Sequence, residues 1–379
     1  MNLTIKTIES LHSVSADEWN SLAGKNFPFI QYEFLIALEN NGAVGKEFGW
    51  ITHFFLAYEG NKLVGALPLY IKFNSYGEFV FDWAWADAYQ QNNIRYYPKL
   101  VTSIPYTPAT GPRLLIENNQ QYSEIADALI NSVLSFAEQS QVSSFHCLFT
   151  NKKDTTYFNN HPKFMMRLGC QFHWTNNGYT DFSNYLEQLT SKKRKQIKRE
   201  RRIVKEQEIK FEILNGYEAT DYHWDIYHRF YESTFERKSG MPTLSKDFFK
   251  EIAKTMPENI VLVLAKHNDE YVASAFNLKG TDTLYGRHWG CSADFDNLHF
   301  EACYYQGLEY CIENKLKHFE PGAQGEHKIA RGFMPTKTWS AHWIAHPQFS
   351  ESISHFLQHE TQGMLHYIDE LNEHSPFKK

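Results

Sequence analysis

The same order of predicted helices and strands occurs twice along the chain, and this repetition constrains the fold more than any single motif. In the second half, for example, the patterns predict helices over 218–237 and 245–255, followed by three antiparallel strands, a helix and a further strand. A chain of 379 residues also exceeds the size at which one hydrophobic core usually stops growing. We therefore predict two α/β domains, 1–178 and 179–379, each with a mainly antiparallel sheet flanked by helices.

The first half contains one helix signal and one candidate binding strand. Ser15 and Glu18 form a capping-box pattern at the start of a helical region that Pro28 interrupts. Further on, residues 78–85 alternate acidic and aromatic side chains, which predicts a strand with Glu78 and Asp82 on one face. Two carboxylates on one face can bind an ammonium group of an acceptor. The alternative is an edge strand with a solvated acidic face.

Charge, cysteine content and hydropathy exclude several functional classes. A formal net charge of −6 provides no global basic field for nucleic acid. The five cysteines form no Cys-x-x-Cys pair, which indicates reduced thiols. Neither a signal peptide nor a membrane-spanning run is evident, so we expect a soluble cytoplasmic protein without membrane insertion.

The densest polar segment follows the penultimate predicted strand of the second half. Three glycines there allow main-chain N–H groups to approach a ligand closely. Glutamate or histidine can take a proton from an ammonium nucleophile, while lysine and arginine can hold an anionic donor. We predict Glu326 and His327 as catalytic. The predicted donor- or substrate-binding residues of this segment are Gly322, Gln324, Gly325, Lys328 and Arg331. A solvated surface loop is the alternative.

A second cluster stands at the end of the strand predicted over 283–289. Arg287, His288 and Gly290 lie there, shortly before the helix predicted over 298–316. In acetyltransferases this junction receives the pyrophosphate of coenzyme A on main-chain amides and a helix N-terminus. We predict these three residues as donor-binding, with an ordinary turn as the alternative.

A basic helix is predicted over 191–207. Residues 191–210 hold ten Lys or Arg against three Glu. Cations in the first turn oppose the helix dipole unless an anion is bound there. We therefore expect a tRNA contact between Lys192 and Arg202, or else a solvated basic face.

Two histidine patterns resemble known metal-binding motifs in part, and neither matches one fully. His299 and Glu301 resemble the His-x-Glu of zinc deaminases, but the Pro-Cys-x-x-Cys partner is missing. His342 and His346 lie four residues apart in a predicted strand, a spacing that gives no shared chelating face. No metal site is predicted.

Several of these segments resemble a known family, the FemAB-like predicted N-acyltransferases, over nearly the full length. The matching blocks are 75–89 (SYGEFVFDWAWADAY), 96–100 (YYPKL), 171–174 (QFHW), 298–305 (LHFEACYY) and 319–333 (FEPGAQGEHKIARGF). The resemblance implies two tandem GNAT-like (acetyltransferase-like) domains related to the peptidoglycan aminoacyltransferases. Residues 189–199 resemble the basic helix that opens the second domain in that superfamily, although the long helical hairpin of the aminoacyltransferases is missing here.

Together these observations predict an N-acyltransferase that moves an acyl or aminoacyl group from an activated carrier to an amine. Acyl-CoA is the expected co-substrate, no cofactor is expected to be permanently bound, and direct attack requires no catalytic cysteine. The strands of such a domain splay apart beside the acyl group, and the gap should fall between 283–289 and 317–320. The alternatives are an aminoacyl-tRNA-dependent peptidoglycan-type enzyme, an RNA-binding protein and a non-catalytic scaffold.

Overall fold

The chain forms two compact units in the computed structural model. The structure describes residues 2–117, 121–237, 240–293, 295–323 and 325–378. Unit 1 comprises Met1–Cys170 and Lys337–Tyr367, whereas unit 2 comprises Gln171–Thr336 and Ile368–Lys379. The division differs from the predicted boundary at 178/179, because the chain leaves unit 1 after Cys170 and later returns to it.

Unit 1 is built on two groups of paired strands. Its strands before residue 170 are β1 (Leu3–Ile8), β2 (Trp50–Thr52), β3 (Phe54–Glu59), β4 (Lys62–Leu67), β5 (Tyr70–Lys72), β6 (Lys99–Thr102), β7 (Leu115–Ile116), β8 (Ser144–Cys147) and the start of β9 (Met165–Thr175). One group has the order β1-β3-β4-β7, and the other contains β8-β6-β5-β2. The helices are α1 (Ala16–Ala23), α2 (Tyr32–Asn40), α3 (Trp83–Gln91), α4 (Tyr122–Gln139) and α5 (Lys152–Asn160).

The amphipathic pattern of α4 places the main core of unit 1. Ile125, Leu129 and Val133 recur at helical spacing, are fully buried, and belong to one cluster with Phe55 and Leu67 from β3 and β4. At the start of α1, Ser15 and Glu18 close the predicted capping box. The predicted capping box is confirmed.

Two secondary-structure predictions in unit 1 are wrong. Residues 78–85 do not form a strand, because Gly77 turns the chain at φ +78° and α3 begins at Trp83. The alternation arises instead from a loop that buries its polar side chains. The sequence pattern also predicts a helix near 155–168, but α5 ends at Asn160, two residues before Pro162, and β9 follows.

Unit 2 follows the predicted order of elements closely. Its helices are α6 (Phe182–Gln188), α7 (Ser191–Glu206), α8 (Asp221–Arg237), α9 (Lys246–Thr255), α10 (Leu298–Phe300) and α11 (Gln306–Glu313). A π-helical segment, Glu301–Tyr305, joins α10 to α11. The strands are β10 (Lys210–Leu214), β11 (Ile260–His267), β12 (Glu270–Lys279), β13 (Thr283–Cys291) and β14 (His318–Glu320), in the order β10-β11-β12-β13-β14-β9.

The chain returns to unit 1 through β15 (Met334–Ile344), which α12 (Pro347–Glu373) follows. β15 pairs antiparallel with β8, so that Trp343 lies opposite Phe145. Among the described residues, no helix combines the length and the apolarity needed to cross a membrane.

Candidate active site

The parallel strands β13 and β14 stay together for only three residue pairs. Thr283 to Tyr285 pair with His318 to Glu320, where β14 ends, whereas β13 continues to Cys291. Beyond Tyr285, β12 remains on one edge of β13, and in the described part of the chain no strand pairs with the other edge. We call this opening the strand gap. It lies where the sequence predicted that the strands separate.

A β-bulge places Arg287 beside the strand gap. The register between β12 and β13 passes from Phe276–His288 to Asn277–Gly286, so Arg287 is the additional residue. Bulges of this kind redirect a side chain. Burial lowers the pKa of Arg287 to about 10, although the neighbouring groups of Tyr227, Tyr231 and Glu320 act in the opposite direction. The guanidinium thus remains a cation at neutral pH, in partly buried surroundings.

The other two residues predicted in this cluster, His288 and Gly290, serve the packing of the protein. The His288 ring lies 4.9 Å from that of Tyr231 and stacks on Phe276, and burial lowers its pKa well below the usual range. A Cβ at Gly290 would collide with the carbonyl group of Phe230 on α8. Gly290 therefore allows α8 to pack against β13, which accounts for this glycine without a bound phosphate.

The segment predicted as a glycine-rich loop contains a 3-10 helix, Glu326–Arg331. Gly322 and Gly325 precede this helix and have φ of +96° and +118°, a region of backbone conformation that favours glycine. Lys328 and Arg331 are buried, whereas Glu326 and His327 are exposed. Gln324 lies outside the described residues. The four charged or proton-transferring side chains therefore divide into an inner and an outer pair.

Lys328 borders the strand gap. Its Nζ donates a hydrogen bond of 2.8 Å to the carbonyl oxygen of Gly322. A Cβ placed on Gly322 would lie 3.6 Å from the carbonyl oxygen of Gly286 on β13. Burial lowers the pKa of Lys328 to about 8. Its ammonium group is therefore unusually easy to deprotonate near neutral pH.

Arg331, predicted to bind the donor, is held by groups of the protein itself. Its Nη2 donates to Glu200 at 2.8 Å, and its Nε donates to the Tyr305 hydroxyl at 3.0 Å. The Tyr305 hydroxyl also donates to Glu200. In addition, the guanidinium carbon lies 3.5 Å from the centre of the Phe300 ring. Arg331 therefore braces the 3-10 helix against α7 and the π-helical segment.

His327 pairs with a tyrosine that the sequence analysis did not single out. The His327 Nε2 and the Tyr304 hydroxyl are 2.9 Å apart. Burial, followed by the charges of Arg331 and Lys328, lowers the pKa of His327, so the imidazole is neutral at pH 7. Tyr304 lies in the π-helical segment, an irregularity frequent at functional sites. The resemblance of residues 298–305 was the available signal for it.

The basic helix α7 has two different faces. Its inner face carries Glu200, described above, and Arg201, which forms ion pairs with Glu301 at 2.9 Å and Glu309 at 2.7 Å. The outer face carries exposed cations at helical spacing. These are Lys192, Lys195, Lys198, Arg199, Arg202 and Lys205. In the part of the chain that the structure describes, Arg202 pairs with Glu206 and the other five have no ion-pair partner. Only the outer face is therefore available to an anionic ligand.

Glu78 and Asp82 lie in unit 1, in a buried group that we call the Lys99 cluster. Its members are Ser75, Glu78, Asp82, Tyr96 and Lys99. Lys99 Nζ donates to Glu78 Oε2 and to Ser75 Oγ at 2.8 Å each, and it also donates to Asp82. Tyr96 donates to Asp82 at 2.5 Å. The predicted carboxylate pair does bind an ammonium group, but that group belongs to the chain itself.

Histidines continue this network toward β15. The Tyr96 hydroxyl lies 3.2 Å from His146 Nε2, and His146 Nδ1 lies 2.7 Å from Nδ1 of His342. Burial lowers the pKa of His146 to about 3, which keeps the ring neutral. Among the described residues, no group of three or more His, Cys, Asp or Glu side chains could hold a metal ion.

Comparisons with known proteins identify the fold. A C-terminal domain (DUF2156) from Agrobacterium fabrum superposes with a TM-score of 0.55 at 7% identity, covering 89% of this chain and 94% of that one. The structure of L-PGS from Bacillus licheniformis gives 0.54 at 10% identity, with 90% and 96% covered. FemX also gives 0.54 at 10% identity, with 92% and 100% covered. At these identities the likeness shows the fold alone.

The sequence comparison identifies the family. No curated protein matches the chain. The model of the FemAB-like family, described as peptidoglycan biosynthesis/recognition, matches residues 10–379. This match confirms the resemblance, and the two units, each with a sheet and flanking helices, agree with the fold class that it implied. The chain thus belongs to the FemAB-like family.

Proposed function

We propose that this protein is an N-acyltransferase whose chemistry takes place in the strand gap of unit 2. The observation that carries the proposal is the separation of β13 from β14 after Tyr285, beside the half-buried cation Arg287 and the buried cation Lys328. Membership of a family described as peptidoglycan biosynthesis/recognition is consistent with acyl or aminoacyl transfer to an amine.

In this proposal the activated carrier enters along the edge of β13 that lacks a strand partner. Main-chain N–H groups on that edge can donate to the acyl oxygen as the carbonyl becomes tetrahedral. One such donor is typically worth about 3–4 kcal/mol in the transition state. Arg287 and Lys328 supply positive charge for an anionic carrier such as the diphosphate of acyl-CoA.

The acceptor amine must lose a proton before or during its attack. His327 is neutral at pH 7 and shares a hydrogen bond with Tyr304, so it can accept this proton as the C–N bond forms. The bond from the acyl carbon to the carrier then breaks, and the carrier leaves with a proton. Glu326 of the same segment, which is also exposed, is the alternative base. We assign no acceptor role to Glu78 and Asp82, because Lys99 already occupies that carboxylate pair.

The test begins with thermal-shift screening of acetyl-CoA, longer acyl-CoAs and charged tRNA, followed by turnover measurements with the donor that binds. Arg287→Gln and Lys328→Met should weaken donor binding at least tenfold, and His327→Ala should lower kcat more than it changes KM. Lys254→Met, which removes an exposed lysine of unit 2, is the matched control. Unchanged donor binding in both Arg287→Gln and Lys328→Met would refute the proposal.

A second candidate, supported by the outer face of α7, is an aminoacyl-tRNA donor. Five exposed cations there have no ion-pair partner among the described residues, and a phosphate backbone would match their charge. Reversal of Lys192, Lys195, Lys198 and Arg199 to Glu should abolish RNA binding, and the wild-type affinity should fall steeply with salt. Arg201 must be left intact because it holds Glu301 and Glu309. Absence of RNA binding at low salt would exclude this donor.

A further inference from the structure

A loop in unit 1 reverses the usual distribution of polar and apolar side chains. Five aromatic residues between positions 73 and 83 are 41–69% exposed: Phe73, Tyr76, Phe79, Phe81 and Trp83. The polar residues Ser75, Glu78 and Asp82 of the same segment are at most 4% exposed. We call residues 73–83 the aromatic loop. Burying its charges while exposing its aromatic rings is unfavourable in water, so the loop is suited to a different environment.

The inward polar groups hold the aromatic loop in this arrangement. Lys99 forms buried ion pairs with Glu78 and Asp82 on the inner side of the loop. Lys72 Nζ donates to the carbonyl oxygen of Tyr76 at 3.0 Å, and Arg167 Nη1 donates to that of Phe81 at 2.7 Å. The aromatic side chains are therefore presented outward by a braced backbone, before any ligand binds.

The charge of the outer surface indicates what the loop contacts. Every residue of the aromatic loop is described, and its two charged side chains, Glu78 and Asp82, are buried; the next charged residue along the chain, Asp87, is exposed. A loop without an exposed charge of its own does not match a nucleic acid or another highly charged partner. A protein interface would normally add a polar rim of hydrogen-bonding side chains. Here the polar atoms of the exposed rings are the Tyr76 hydroxyl and the Trp83 indole N–H, which suit the headgroup region of a bilayer, where Tyr and Trp are enriched.

We propose that the aromatic loop docks this protein onto a phospholipid bilayer at headgroup depth. Such interfacial contact requires no spanning segment and depends on apolar area rather than on charge. The remaining exposed large apolar residues in the described chain occur at scattered positions in the sequence: Tyr217, Tyr222, Met241 and Phe356. The proposal is independent of acyl transfer, because it concerns residues that have no part in the strand gap.

The experiment uses the full chain and vesicles of dioleoylphosphatidylcholine. Sedimentation of protein with vesicles measures partitioning, and quenching by brominated phosphatidylcholine reports whether Trp83 enters the interface. Phe73→Ser, Phe79→Ser and Phe81→Ser are combined in one variant, and Phe356→Ser removes a similarly exposed ring outside the loop. The partition coefficient of the triple variant should be lower than that of the wild type by at least about tenfold, whereas Phe356→Ser should match the wild type.

Three results would overturn the proposal. The first is absence of vesicle binding by the wild-type protein at millimolar lipid. The second is binding that high salt abolishes and the triple variant retains, which would indicate the basic helix instead. The third is self-association that the triple variant loses while vesicle binding is absent, which would assign the loop to a protein interface. If the triple variant does not fold, quenching that disappears in Trp83→Phe alone still supports the proposal, and unchanged quenching contradicts it.

Discussion

At the scale of single residues, Lys99 is the group on which the buried polar part of unit 1 depends. Its side chain is fully buried and neutralises Glu78 and Asp82. Replacing it with Met should lower the free energy of unfolding by about 3–5 kcal/mol, because two carboxylates lose their counter-charge. Lys62→Met removes an exposed ion pair with Glu117 and should cost about 0–1 kcal/mol. Urea unfolding of both variants measures the difference, and similar small losses would show that the Lys99 cluster is not stabilised by this charge.

Glu78 should make stability depend on pH. Burial raises its pKa to about 7, although the charge of Lys99 opposes this. Between pH 4.5 and 7 the folded protein therefore binds a proton that the unfolded chain releases, and the contribution of Glu78 to stability falls as the pH rises. Glu78→Gln does not titrate. Its stability relative to the wild type should increase by about 3 kcal/mol over this range, since the pKa of Glu78 rises from 4.5 to about 7 on folding and one pKa unit corresponds to about 1.4 kcal/mol. Parallel pH profiles of unfolding would contradict the prediction.

Lys328 should make donor binding depend on pH. With a pKa of about 8, its ammonium group loses its charge as the pH rises through that value. Affinity for an anionic donor should therefore fall between pH 7 and pH 9. Lys328→Arg keeps its charge throughout and should flatten the profile. Calorimetric titration at several pH values measures both affinities. A decline that persists unchanged in Lys328→Arg would remove Lys328 from the binding site.

At the scale of secondary-structure elements, Gly290 determines how closely α8 approaches β13. A Cβ there would meet the Phe230 carbonyl group, so Gly290→Ala should cost about 1–3 kcal/mol. Gly363 in α12 has open space around a Cβ, and Gly363→Ala should stabilise the helix by about 0.5–1 kcal/mol. Thermal unfolding distinguishes the two. If Gly290→Ala is neutral for stability but lowers donor affinity, the glycine serves the ligand rather than the packing.

Local signals in the sequence predicted elements well where they agreed with burial. Ser15 and Glu18 specified the start of α1. The strand predicted over residues 78–85 was wrong, because alternation of polar and apolar side chains normally indicates a half-buried strand. Here Lys99, which is distant in the sequence, allows two acidic side chains to be buried in a loop. The π-helical segment could not be predicted, since its contacts with α7 come from about 100 residues away in the sequence.

At the scale of the whole molecule, the repeated order of elements predicted the tandem fold and the position of the strand gap. It did not predict that residues 337–367 rejoin unit 1, because that depends on the pairing of β15 with β8, nearly 200 residues apart in the sequence. The sequence showed that the segment Glu326–Arg331 is rich in charged and proton-transferring side chains, but it did not show which of these side chains are buried. Lys328 and Arg331 turn inward because Gly322 and Glu200 accept their hydrogen bonds.

Hydrogen–deuterium exchange with and without a saturating donor tests most directly whether the strand gap is the active site. The donor is whichever of acetyl-CoA, longer acyl-CoAs or charged tRNA raises the melting temperature. The account predicts slower exchange in β13 from Gly286 to Cys291 and in Glu326–Arg331, with Lys328→Met losing this protection. Protection confined to other parts of the chain, or no donor that binds, would contradict it.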